Sequence, residues 1–100
     1  MSDPVTRLMA AAVRALLDSA AGHHERATLA AEHVASLIGQ TDNLTLRGDV
    51  LFDCARVFRA AGDAEAGRSL ATRARDEYLA KGAELPASRV RDWIATETRK

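Results

Sequence analysis

Apolar side chains recur at three- and four-residue spacing along most of the chain, the pattern of helices that present one face to a core. Asp3-Pro4 opens the first run, with Asp3 suited to cap free N–H groups and Pro4 to the first helical turn. Leu8 or Met9, Ala12, Val13, Leu16 and Leu17 then form one stripe that ends at Ala21-Gly22. A second run, residues 24–38, places Ala27, Ala30, Ala31, Val34, Leu37 and Ile38 on one side and Glu25, Arg26, Glu32 and His33 mostly on the other. Gly39-Gln40-Thr41-Asp42-Asn43 reads as a turn followed by a capping residue.

The third run, residues 44–61, is expected to bury Leu44, Val50 or Leu51, Cys54, Ala55 and Phe58. Gly48 interrupts it, a flaw of roughly 1 kcal/mol relative to Ala that permits close backbone approach. After Gly62-Asp63 a fourth run reaches Lys81 with Ala66, Leu70, Ala71, Ala74, Tyr78 and Leu79 turned inward. Lys81-Gly82 is a stop signal, Leu85-Pro86 restarts the chain, and Val90, Trp93, Ile94 and Glu97 mark a shorter fifth helix. The pattern predicts an all-α chain of about five helices in one domain: an antiparallel hairpin over 4–39, a second over 42–82, and a capping helix over 86–98.

Composition supports helices packed at close range. Of the 47% hydrophobic residues, 21 are Ala, while aromatics make up only 4%. Fourteen basic and fourteen acidic side chains cancel, so the long-range field that steers proteins onto nucleic acid is missing and no nucleic-acid partner is expected. Arg outnumbers Lys twelve to two, which with the Ala excess fits a high-GC bacterial genome. Cys54 is the only cysteine, so no intramolecular disulfide forms and a reducing cytoplasm is the expected setting. Arg14 interrupts the apolar run from Leu8 to Leu17, so no membrane span or signal peptide is expected there.

Leu51, Cys54, Ala55, Phe58, Gly62, Asp63, Ala66, Ala71 and Ala74 fall at the packing positions of one helix-turn-helix unit, and this spacing resembles a tetratricopeptide repeat. Gly22 and Gly62 stand forty residues apart, longer than the period of about 34 in the standard repeat. Residues 40–62 are also similar to hairpins in the helical C-terminal tails of large bacterial signalling proteins, which follow cyclase or ATPase modules. Those hairpins commonly read T-D-x-L-x-x-x-A-D-x-L-x-D-x-A-x-V-x-x-x-A-G; here Gly48 replaces the usual Ala and Cys54 a usual Leu. No cyclase or ATPase motif is present, so that chemistry does not carry over. The resemblance implies the last repeats of such a tail or a free-standing relative, acting as an interaction scaffold.

In the repeat family the first helix of each pair lines a groove, and the groove positions map here onto Asp49, Phe52, Arg56 and Arg59, with Arg7 and Arg14 as equivalents on the first helix. An exposed Phe beside two Arg residues suits an extended segment carrying a carboxylate, because guanidinium forms paired hydrogen bonds with carboxylates. The same Arg residues also read as a solvated face paired with Asp53 or Asp63, with Phe52 meeting a second copy of the chain. Trp93 reads as a lid on the core or as a dimer anchor.

Three other features bear on chemistry. His23, His24, Glu25 and His33 have the wrong spacing for one metal site, since His33 lies nine residues from His24. Cys54 reads as a small buried hydrophobe. Asp49 and Asp53 share a helix face, but no nucleophile or phosphate loop accompanies them. The expectation is a non-enzymatic module without cofactor or metal, binding a protein or peptide partner or a second copy of itself. A dimerisation or regulatory domain of a transcription regulator and a small-ligand-binding helical bundle are the alternatives.

Overall fold

A computed structural model describes residues 4–98, with side chains described for 5–96; the expected roles of Asp3 and Glu97 lie outside these limits. The chain is all-α: α1 (Pro4–Ala20), α2 (His24–Ser36), a single 3-10 turn (Ile38–Gln40), α3 (Leu44–Ala60), α4 (Ala64–Lys81) and α5 (Glu84–Thr98). The five helices begin at residues 4, 24, 44, 64 and 84, one every twenty residues. Consecutive helices pack against each other, and α1 also packs on α3.

The regular spacing has a chemical cause in the turns. Gly22, Gly62 and Gly82 all adopt left-handed backbone, with φ of 87°, 94° and 80°. At each, the next residue donates back to the carbonyl five positions earlier: His23 to Asp18 at 2.9 Å, Asp63 to Phe58 at 3.0 Å, and Ala83 to Tyr78 at 2.9 Å. This is the glycine cap that stops a helix and satisfies its last carbonyls. The junction between α2 and α3 has no such glycine. There Asn43 Oδ1 accepts from the Leu46 N–H at 3.0 Å, and the Arg47 side chain donates to the Thr41 carbonyl at 2.7 Å.

The interior consists of two clusters, and α3 contributes to both. Leu46, Val50, Cys54 and Val57 pack with Leu8, Ala12, Ala15, Ala27, Ala31 and Val34 of the first hairpin. Leu51 and Ala55 pack with Ala71, Ala74, Tyr78, Ala87 and Val90 of α4 and α5. One apolar stripe was expected on α3; flanked on two sides, it has two. Hence both Val50 and Leu51 are buried, Leu46 rather than Leu44 is buried, and Phe58 is only half-buried.

The stripe on α1 is shifted from the expected one. Leu8, Ala12 and Ala15 fill the narrow face against α2 and α3, while Met9, Val13 and Leu17 are 49%, 52% and 65% exposed. Leu79 likewise remains 40% exposed at the end of α4. The close backbone approach expected at Gly48 occurs at Gly67, where a Cβ would lie 3.1 Å from the Ala55 carbonyl. At Gly48 the neighbour is a ring: a Cβ there would meet Tyr78 at 2.6 to 2.8 Å.

The fifth helix starts two residues earlier than expected, at Glu84, because Pro86 sits in the first turn where N–H groups have no intrahelical partner. No helix among the described residues is long and apolar enough to cross a membrane.

Candidate interaction groove

Residues three and four apart on a helix share a face, so Asp49, Phe52, Asp53, Arg56 and Arg59 form one edge of α3. Trp93 and Thr96 of α5 reach that edge. Phe52 meets Trp93 edge to face, ring centroids 5.4 Å apart and planes at 86°, a favoured aromatic geometry. The Arg59 guanidinium stacks over the Trp93 ring at 3.5 Å from its centroid. It also donates to the Trp93 carbonyl at 2.8 Å and to Thr96 Oγ1 at 3.4 Å.

Phe52 is therefore half-buried instead of exposed, since the capping helix covers the face that the third helix alone would leave open. Trp93 is held within the chain by Phe52 and Arg59, in the lid position. Arg59 is part of the clasp that holds α5 to α3. Arg56 is the more accessible of the pair, its side chain 51% exposed and 3.6 Å from Asp53, an ion pair of the weak surface kind. Asp49 accepts a hydrogen bond from the Tyr78 hydroxyl, so it is tied to α4.

Around this clasp runs a groove of about 600 Å³ between α1, α3 and α5, lined by Leu16, Ala20, Arg56, Arg59, Trp93 and Thr96 among others. Arg7 and Arg14 do not belong to it. They line a separate groove between α1 and α2 with His33, Leu37 and Gln40. The α1 residues that do reach the first groove, Leu16, Ser19 and Ala20, were not singled out from the sequence, because only the packing of α1 on α3 reveals which side faces it. Tyr78 was legible as inward-facing, but its bond to Asp49 was not.

Three titratable groups on or against α3 are shifted by burial. Burial raises the Asp53 carboxyl, Arg56 opposes this, and Asp49 adds to it. Burial also pushes the Cys54 thiol up to about 12, with Asp53 adding and Arg73 opposing, and the thiol donates to the Ala31 carbonyl at 3.4 Å. The Tyr78 phenol is raised by burial and by its hydrogen bond to Asp49. Folding thus favours the protonated forms of thiol and phenol. Their contribution is complete below the ordinary values of 9.0 and 10.0 and is lost as pH climbs through the raised ones. Urea midpoints are expected to fall from pH 9.0 towards 12 and to fall less steeply in a Cys54→Ala/Tyr78→Phe double variant. A parallel decline in parent and variant would contradict that origin.

Among the described residues no group of three or more His, Cys, Asp or Glu side chains is placed to hold a metal ion. Fold and site together define an all-helical chain with a basic, tryptophan-floored groove between its first, third and fifth helices. Comparison of the chain with protein-family models, with curated proteins and with solved structures gave no match.

Proposed function

We propose that this chain is a non-enzymatic, tetratricopeptide-like interaction module whose groove between α1, α3 and α5 takes an acidic segment of a protein partner. The observation that carries the reading is the convergence of Arg56, Arg59 and Trp93 on one groove lined on its other side by Leu16 and Ala20. The accessible Arg56 guanidinium offers paired donors to a carboxylate, and Leu16 and Ala20 offer an apolar wall to the intervening side chains. The even spacing of helix starts gives a hairpin period of forty residues, within the general range of helical repeats and longer than the tetratricopeptide period of about 34. A reducing cytoplasm suits the single buried thiol.

Trp93 is the only tryptophan, so its fluorescence reports on the groove directly. Titration with an acidic peptide is expected to change that emission. Arg56→Ala should weaken binding roughly tenfold, the loss of one charge-assisted contact. Arg56→Ala combined with Arg59→Ala should weaken it further. Undiminished affinity in the double variant would remove this reading.

Self-association is the second reading. It is favoured by the exposure of Leu17 and Leu29, large apolar side chains at 65% and 63%.

A further inference from the structure

The side of α1 turned to α2 borders a second groove, of about 690 Å³, with Arg7 and Arg14 on one wall and His33 and Gln40 on the other. Its floor is apolar: Leu8 is buried, and Ala11 and Leu37 are half-buried. Past Arg14 and His33 the groove continues to Asp18 and Arg26, whose ion pair at 3.6 Å closes that end. The 3-10 turn that carries Gln40 stands at the other.

Cations are in excess along this groove. The side chains of Arg7, Arg14 and His33 make no ion pair or hydrogen bond with any other described residue. Asp18 is the one carboxylate among the described lining residues, and Arg26 engages it. Unpaired guanidinium groups beside an apolar floor suit an organic anion, since each forms two parallel hydrogen bonds with a carboxylate.

We infer that this groove binds a small organic acid with two anionic ends about 10 Å apart, the rise of α1 between Arg7 and Arg14. Arg14, with His33 facing it, takes one end, and Arg7, with Gln40 opposite, takes the other. The apolar body between them lies on Leu8, Ala11 and Leu37. This site is separate from the groove between α1, α3 and α5 and does not depend on it.

Length selects a small molecule over a chain. From Arg7 to Asp18 the groove runs about 16 Å along α1 before the ion pair blocks it, so a peptide or a nucleic-acid strand would leave the floor within a few units. A net charge of zero adds no long-range attraction for nucleic acid.

Nonanedioate is a suitable probe, because its carboxylates match the separation of Arg7 and Arg14 when its chain is extended. Titrated into the isotope-labelled full chain at low salt, it is expected to give saturable amide shifts around Arg7, Arg14 and His33, weakening as salt is raised. Calorimetry should show Arg14→Gln and Arg7→Gln each weakening binding roughly tenfold, with Arg56→Ala binding like the parent. Both arginines are exposed, so their substitution leaves the core intact. Pentanedioate, too short to reach both, and nonanoate, with a single carboxylate, should bind at least roughly tenfold more weakly than nonanedioate. The inference is overturned by the lack of saturable shifts at millimolar nonanedioate, or by unchanged affinity in Arg14→Gln. Equal binding of pentanedioate or nonanoate would also overturn it, as would shifts confined to Arg56 and Trp93, which would assign the acid to the other groove.

Discussion

Leu51→Ala is expected to destabilise the protein by about 3 kcal/mol, within the range measured for large-to-small changes at fully buried sites. Leu51 is 1% exposed and is among the largest of the fully enclosed side chains, packed by Ala55, Ala71, Ala74 and Val90. Those neighbours are small or stiff, so they relax little into the space left behind. For a domain of this length, stable by roughly 5–15 kcal/mol, such a loss should lower Tm by roughly 10–20 °C. Leu29→Ala, on an exposed position, should stay within about 0.5 kcal/mol of the parent. Thermal unfolding followed by circular dichroism compares the two; equal shifts would contradict the packing described for α3.

Gly48→Ala is expected to destabilise as well, against the ordinary rule that alanine improves a helix interior. Replacing Gly by Ala in a helix normally gains up to about 1 kcal/mol. Here the new Cβ would lie 2.6 Å from a carbon of the Tyr78 ring, which is buried and anchored through its hydroxyl to Asp49. Displacing a packed ring costs about 1–3 kcal/mol, which offsets the helix gain and leaves a net loss of up to about 2 kcal/mol. The sign reverses when the ring is removed: in a Tyr78→Ala background the same substitution should be neutral or stabilising. Gly39→Ala, in the 3-10 turn where a Cβ meets nothing within 4 Å, is the control for an added methyl without a clash. Denaturant midpoints that rise in Gly48→Ala itself would sink this account.

How much of this was legible in the sequence depends on range. Helix positions and stops were readable, because the signals at Gly22, Gly62 and Gly82 act within one turn of the chain. The buried face of a helix was readable only where one neighbour covers it. On α3 the pattern left Val50 and Leu51 as alternatives for one stripe, and that ambiguity is the mark of two partners. The same cause displaced the site. Phe52 and Arg59 were placed on an open face because the fifth helix, more than thirty residues on, closes it through Trp93. Arg7 and Arg14 were assigned to the wrong groove for a related reason, since helix spacing tells which residues share a face and not which neighbour that face meets.

Because α3 serves both clusters, neither hairpin owns its interior. A substitution on α3 is felt on two sides at once, whereas α1 and α5 each close one end. Substitutions are therefore tolerated most readily on the outer helices, each of which serves one cluster, while the middle helix holds both halves to a common register.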